Sequence, residues 1–156
     1  MSDLPENIVI REFAAADRPL VEAFFKQMGG ETRALFDRNS YNYNVAMRYF
    51  DGAGANIVYY LAELDGVMIG YVYLSDIDKG VIWLGIAVHE DFKGKHLGRR
   101  LIQRATDYAR ENKKGGILLT THVVNMRGQG LYDRMGFERI GMSNSGEVLY
   151  IWRTKD

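Results

Sequence analysis

The chain of 156 residues carries 20 basic and 20 acidic side chains, so its formal net charge is zero and no nucleic-acid partner is expected. It has no cysteine and only three histidines, which excludes a disulfide framework, a thiolate metal site and a cysteine nucleophile, and no metal is expected. No apolar run approaches membrane-spanning length, so we expect a soluble, cytoplasmic protein with no membrane contact and one domain over residues 1–156 (core about 8–152).

In chain order the pattern predicts a strand, two helices, an antiparallel meander, two strand–helix units and a final hairpin. Asp17 is the expected N-cap of the first helix, and a second helix is expected near residues 44–50. Asp65-Gly66 predicts a type I′ hairpin turn, because both central residues must accept positive φ. Gly115-Gly116 is expected to close the long third helix and Gly136 the fourth. The predicted strands are residues 8–13, 56–64, 67–75, 81–88, 117–124, 137–142 and 147–152.

The first informative motif is a strand over residues 81–88 followed by the loop Lys93-Gly94-Lys95-His96-Leu97-Gly98 and an amphipathic helix. The first turn of a helix carries unpaired N–H groups and the positive end of the helix dipole, so a glycine loop that gives access to it predicts an anion site. Residues 93–114 hold eight basic and two acidic side chains, which suits a polyanionic ligand. An ordinary solvated helix face remains the alternative for the basic residues from Arg104 onward.

The second motif runs from Asn125 to Phe137. Asn125 and Tyr132 are seven residues apart, so on a helix their side chains share one face at a separation of roughly 10 Å along the axis. Each residue also has a simpler interpretation. Asn125 is a good helix cap, and Tyr132 could be a packed aromatic whose hydroxyl bonds to the backbone.

Together the motifs resemble the GNAT superfamily of N-acetyltransferases. Residues 93–98 are similar to its [Q/R]-x-x-G-x-[G/A] loop, although His96 stands where the family most often has Gly. Asn125, the Leu131-Tyr132 pair and Gly136-Phe137 resemble the late motif of the family. The resemblance covers residues 8 to about 152 and implies an α/β (α+β) fold. It implies a mixed, mostly antiparallel sheet of six to seven strands, flanked by helices and splayed between strands 4 and 5.

The resemblance also implies a reaction, which is direct transfer of the acetyl group of acetyl-CoA to a primary amine in a ternary complex. The acceptor would be a small metabolite or a peptide or protein amine. Tyr132 would be the general acid that protonates the leaving thiolate. The residues implied to hold acetyl-CoA are Ala87, Val88, Lys93, Gly94, Lys95, His96, Leu97, Gly98, Arg99 and Asn125.

The general base and the acceptor site are less well defined. The strand over residues 82–86 has no ionisable group, so Glu31, His122, Asp76, Asp78 or a water chain ending on a backbone carbonyl remain open as proton acceptors. In this family the segment between the first two strands commonly forms one wall of the acceptor pocket. The expected acceptor residues are Glu31, Phe36, Tyr41 and His122.

Two other function classes stay open: a non-catalytic module that binds or senses acyl-CoA, and a nucleic-acid-binding domain that uses the basic helix. A homodimer that uses the C-terminal hairpin as an edge is possible in this family.

Overall fold

The structure is a computed structural model that describes residue 5 and residues 7–27, 41–94 and 96–155. Seven strands form one sheet with the spatial order β1-β2-β3-β4-β5-β7-β6. The strands are β1 (Val9–Glu12), β2 (Ile57–Leu64), β3 (Val67–Ser75), β4 (Val81–Val88), β5 (Gly116–Thr121), β6 (Glu138–Met142) and β7 (Val148–Arg153). The α-helices of the described residues are α1 (Arg18–Lys26), α2 (Tyr41–Phe50), α3 (Leu97–Glu111) and α4 (Met126–Arg134).

The strands of the sheet pair in antiparallel fashion except β4 and β5, which run parallel. This parallel pairing extends only from Val81 opposite Gly116 to Trp83 opposite Leu118. Beyond that point the two strands diverge, so the rest of β4 has a partner on the β3 side alone. The predicted mixed sheet with a splay between the fourth and fifth strands is confirmed.

Alternation along β4 divides the core into two layers. Ile82, Leu84 and Ile86 belong to a buried cluster that includes Leu101 of α3 and Tyr132 of α4. Ala87 belongs to the cluster on the opposite face, beneath α1 and α2, which is rich in aromatic side chains. These aromatic residues are Phe13, Phe24, Phe25, Tyr59, Tyr71 and Tyr73, with Tyr43, Tyr49 and Phe50 packed against them.

The turns support two sequence-based predictions and correct a third. Asp65 and Gly66 both have positive φ (51° and 81°), as the predicted type I′ turn requires. Gly136 has φ 89° after α4, and the Phe137 N–H donates to the Tyr132 carbonyl, which is the expected glycine cap. The prediction that Gly115-Gly116 closes α3 is wrong. The helix ends at Glu111, Lys113 takes the left-handed conformation (φ 55°), and the Lys114 N–H donates to the Ala109 carbonyl.

Two further boundaries and one helix cap differ from expectation. The second helix begins at Tyr41 rather than near residue 44. β5 ends at Thr121, where its pairing with β7 ends, so His122 is not a strand residue. Asp17 precedes α1, but its side chain makes no cap hydrogen bond because it pairs with Arg11 instead. None of the helices in the described ranges is long and apolar enough to cross a membrane.

Candidate active site

A cavity of about 650 Å³ opens where β4 and β5 diverge, and is bounded by the end of β4, the loop before α3 and the start of α4. Most of the predicted cofactor residues line this cavity, and Tyr132 lies in its wall. Those cofactor residues are Ala87, Val88, Lys93, Gly94, His96, Gly98, Arg99 and Asn125. Leu97 is fully buried in the core, so only its backbone could face a ligand. Lys95 lies outside the described residues.

The loop before α3 is shaped by two left-handed residues. Gly94 has φ 76° and an open environment, so its conformation rather than close packing favours glycine. His96 has φ 68° and ψ 8° directly before the first residue of α3. Glycine adopts this conformation without strain, which explains why glycine suits this position. The His96 side chain is exposed at the cavity wall, so the imidazole does not fill the space between β4 and the helix.

The N-terminus of α3 points at the cavity. The Arg100 N–H donates to the His96 carbonyl, so the N–H groups of the three preceding residues have no acceptor inside the helix. A Cβ on Gly98 would lie 2.8 Å from Cδ2 of Leu131. Glycine at this position therefore lets α4 approach the first turn of α3 closely. Three backbone N–H groups without an acceptor inside the helix and the positive end of the helix dipole thus lie at one side of the cavity, which suits phosphate oxygens.

Asn125 joins the end of β5 to α4. Its Oδ1 accepts from the Gly128 N–H at 3.0 Å, and its Nδ2 donates to Oγ1 of Thr121 at 3.0 Å. Asn125 is therefore the N-cap of α4 while it also lines the cavity. Gln129 is buried and bonds to the turn between β5 and α4. Its Nε2 donates to the carbonyls of His122 and Val123 at 3.4 and 3.0 Å, which fixes the loop beside the cavity.

Tyr132 is 5% exposed and packs between the rings of Phe137 and Tyr150. Burial raises the pKa of its phenol well above the usual range, and the neighbouring Tyr150 adds to the increase. The phenol is therefore protonated at neutral pH. Among the described residues its hydroxyl has no hydrogen-bond partner, which differs from a buried tyrosine bonded to the backbone.

Two arginines of the cavity wall were not foreseen. Arg127 and Arg134 of α4 are exposed and line the same cavity as Arg99, and within the described ranges none of the three has a carboxylate partner. The Nζ atom of Lys93, which also lines the cavity, lies 3.4 Å from Oε1 of Glu90. Arg127 and Arg134 are seven residues apart, which places them on one face of α4, as the same spacing does for Asn125 and Tyr132. The same period could have revealed them in the sequence.

Of the residues predicted for the acceptor site and for proton abstraction, His122, Asp76 and Asp78 have described side chains, and none of these three lines the cavity. Glu31, Phe36 and the side chain of Tyr41 lie outside the described residues. His122 is exposed, and its Nδ1 accepts from the Val124 N–H at 3.4 Å within the turn after β5. Asp76 and Asp78 precede β4 at its paired end, about 20 Å along the strand from the cavity. These two carboxylates are therefore far from the reacting centre.

Comparison with known proteins identifies the family of the chain. The model of the acetyltransferase (GNAT) family matches residues 20–137. The L-methionine sulfoximine/L-methionine sulfone acetyltransferase of Pseudomonas paraeruginosa is 26% identical over 151 residues, which are 92% of this chain and 88% of the relative. Other curated relatives are longer than this chain. The match spans 40% of the probable N-acetyltransferase camello of Xenopus tropicalis and 30% of the N-acetylaspartate synthetase of Danio rerio.

Solved structures share the fold. The ribosomal-protein-S5-alanine acetyltransferase of Vibrio fischeri superposes with a TM-score of 0.83 at 14% identity, covering 100% of this chain and 98% of that one. The structure of yncA, a putative acetyltransferase from Salmonella typhimurium, with its cofactor acetyl-CoA superposes with a TM-score of 0.76 at 18% identity, covering 97% of this chain and 96% of that one. Acetyl-CoA-dependent N-acetyl transfer is the activity of this family, which confirms at the family level the predicted N-acetyltransferase and its co-substrate acetyl-CoA. The chain belongs to the acetyltransferase (GNAT) family.

Proposed function

We propose that the cavity between β4 and β5 binds acetyl-CoA and that the chain transfers the acetyl group to a primary amine. The observation that carries the proposal is the convergence of three features on one cavity: the unpaired edge of β4, the N-terminus of α3 and the protonated phenol of Tyr132. Acetyl-CoA supplies an activated acyl group as a thioester together with a pyrophosphate and a phosphate. The chain offers groups that could bind the phosphates, the extended arm and the thioester of this molecule.

The phosphates would be held at the start of α3, where backbone N–H groups of Leu97, Gly98 and Arg99 lack acceptors inside the helix. Lys93, Arg99, Arg127 and Arg134 supply positive charge around this position. The extended arm would run along the open edge of β4 at Ala87 and Val88 and pass Asn125. Backbone N–H groups of that edge would also stabilise the negative charge that develops on the thioester oxygen.

Tyr132 would donate a proton to the departing sulfur. Its raised pKa keeps the proton on the phenol throughout the physiological range, so loss of this proton should not reduce the rate below about pH 10. Tyr132→Phe retains the ring between Phe137 and Tyr150 and removes only the donor. We expect kcat to fall about 100-fold, with the Kd for acetyl-CoA unchanged.

The control for this test is Tyr150→Phe. Tyr150 is also buried and its ring lies 5.7 Å from that of Tyr132, but it does not line the cavity. The rate is measured as thiol released from acetyl-CoA, and binding by calorimetry. Equal rates for Tyr132→Phe and the wild type would remove Tyr132 from the proposed mechanism.

The acceptor is to be found with a panel of amines that differ in charge: L-methionine sulfone, a peptide with N-terminal alanine, phenethylamine and 1,4-diaminobutane. The first two correspond to names of relatives in this family, a methionine sulfone acetyltransferase and a ribosomal-protein-alanine acetyltransferase. Acetyl-CoA binding without turnover of any amine would favour the alternative of a non-catalytic acyl-CoA-binding module. The cytoplasmic location, the homodimer and the lack of a nucleic-acid partner or metal stay predictions.

A further inference from the structure

The cavity between β4 and β5 has an open mouth and a closed inner end. Of the described residues that line it, three are buried, and these are Ile86, Ala87 and Tyr132. The lining residues at the start of α3 are half-buried or exposed, as Gly98 and Arg99 are. The cavity therefore deepens from the helix start towards β4 and Tyr132.

The alternation of side chains along β4 determines which of its residues face the cavity. Ile86 belongs to the buried cluster beneath α3 and α4, which also contains Tyr132, whereas Ala87 belongs to the cluster on the opposite face of the sheet. Val88 is half-buried and packs against the cluster of Ile86. Ile86 and Val88 therefore share the face on which the cavity opens, because side chains two positions apart lie on one side of a strand. Of the two, Ile86 is the deeper.

Leu84 shows where the cavity ends. It belongs to the same buried cluster as Ile86, and each of these two side chains is 7% exposed. Leu84 directly follows the last pair between β4 and β5, which joins Trp83 to Leu118, and it does not line the cavity. Ile86 lies farther into the splayed part of β4 and does line it. The inner end of the cavity is therefore formed by Ile86 on β4 and by Tyr132 on α4.

The proposed function puts the thioester at this inner end. Phosphates at the start of α3 and an arm along Val88 direct the rest of acetyl-CoA inwards, and Tyr132 is the proton donor to the sulfur. The acyl group is attached to that sulfur, so it lies beside Tyr132 as well. Ile86 is the other buried side chain of the Tyr132 cluster that lines the cavity. The acyl tail therefore meets the isoleucine side chain.

Close packing makes this contact selective for a short acyl group. Ile86 belongs to the same buried cluster as Leu101 of α3, and a packed core accommodates an added methylene only with strain. Propionyl and butyryl groups add one and two methylenes to the acetyl group, and these would press on Ile86. In a hydrophobic pocket a difference of one methylene changes kcat/KM roughly 10- to 200-fold.

We infer that Ile86 restricts the acyl group that this transferase accepts to acetyl, an assignment that rests on the proposed function. The branched side chain closes the inner end of the cavity beside Tyr132 and excludes a longer acyl chain. Propionyl-CoA and butyryl-CoA present the same phosphates and the same arm to α3 and β4. The discrimination is therefore confined to the acyl end of the molecule.

The test is Ile86→Ala, which removes the side chain beyond Cβ and lengthens the cavity at its inner end. The values of kcat/KM for acetyl-CoA and butyryl-CoA are measured with the best acceptor of the amine panel, and both Kd values by calorimetry. We expect the wild type to prefer acetyl-CoA roughly 100-fold and Ile86→Ala to lower this preference at least about tenfold. Ile86→Val removes less of the core and should lower the preference for acetyl-CoA over propionyl-CoA.

The matched control is Leu84→Ala. Leu84 has the same exposed fraction as Ile86 and belongs to the same cluster on the same strand. Its truncation leaves a void in the same core, but that void is behind Ile86 and not open to the ligand. The preference for acetyl-CoA should therefore stay within about twofold of the wild-type value. Leu84→Val is the corresponding control for Ile86→Val.

The possible results separate the inference from the proposed function. A preference that falls in the Ile86 variants and not in the Leu84 variants supports the inference. An unchanged preference in both Ile86 variants, or a wild type that accepts butyryl-CoA as well as acetyl-CoA, overturns the inference and leaves the proposed function standing. An equal fall in the Leu84 variants also overturns it, because loosening of the core would then be the cause. Absence of acetyl-CoA binding by the wild type overturns both.

Discussion

His96 shows how one backbone conformation links the sequence to the cofactor loop. It holds φ 68° before α3, where a non-glycine residue costs roughly 1–2 kcal/mol because Cβ crowds the following carbonyl. The loop must turn sharply here so that the first amides of α3 face the cavity. Members of the family most often have Gly where this chain has His96. The positive φ of the position is the physical reason, because glycine adopts it without strain.

We therefore predict that His96→Gly raises the free energy of unfolding by about 1 kcal/mol. The measurement is equilibrium unfolding in urea. His96→Ala is the control, because it removes the imidazole but keeps a Cβ in the left-handed conformation, and it should not give this gain. A His96→Gly variant less stable than His96→Ala would show that the strain is absent or that the added freedom of the unfolded chain outweighs it.

Residues that depend on local chain geometry could be predicted from the sequence. The Asp65-Gly66 turn follows from the requirement for positive φ at two adjacent positions, and Asn125 follows from its position before a helix. The place of Ile86 at the inner end of the cavity could not be predicted, because it depends on where the pairing of two strands ends. Asp17 also departed from expectation, since Arg11 competes with the helix amides for its carboxylate.

At the scale of elements, Arg11 ties three segments together. Its guanidinium makes a bidentate pair with Asp17 at 2.7 and 2.9 Å and contacts Glu63 at 2.7 Å. Asp17 Oδ2 also accepts from the Ala14 N–H at 2.7 Å. The contacts join β1 to β2 and to the turn that starts α1. The hydrogen bonds from Arg11 lower the pKa of the mostly buried Asp17 carboxyl, and the Ala14 amide contributes to the decrease.

This network predicts a specific pH dependence of stability. The folded-state pKa of Asp17 is below its unfolded value, so its stabilisation is complete above a pH of about 4 and is lost as pH falls through the folded value. Asp17→Asn should lower the free energy of unfolding by about 2 kcal/mol at pH 7. The difference from the wild type should shrink below pH 4.

The control for Asp17 is Glu22→Gln, which breaks an exposed pair with Arg18 at 3.5 Å. Such a pair contributes little, so its variant should remain close to the wild type at every pH. Urea unfolding between pH 2.5 and 8 gives both comparisons. A difference between Asp17→Asn and the wild type that does not depend on pH would contradict the assigned pKa shift.

The arrangement of elements was largely predictable, but their contacts were not. The strand, glycine loop and helix around residues 93–98 and the late motif with Asn125 and Tyr132 were both apparent as local patterns. That they form one cavity depends on the close approach of Gly98 to Leu131 and on the early end of the β4–β5 pairing. Neither feature has a local signature in the sequence.

For the molecule as a whole, two layers of core lie on the two faces of β4, and the cavity opens on one of them. The layer of α3 and α4 presents the helix start, four cations and Tyr132 to the cavity, and the aromatic layer beneath α1 and α2 places Tyr73 on the other side of the splayed strand. Acetyl-CoA would thus be bound on the side of α3 and α4.

Binding of acetyl-CoA at the start of α3 is the central claim, and isothermal titration calorimetry tests it most directly. The wild type should bind acetyl-CoA with a Kd in the micromolar range or tighter. Gly98→Asp should abolish binding, because it places a carboxylate beside the phosphates and against Leu131. Gly80→Asp makes the same change in an open turn and should bind like the wild type. No binding by the wild type up to millimolar acetyl-CoA, or unchanged binding by Gly98→Asp, would contradict the account.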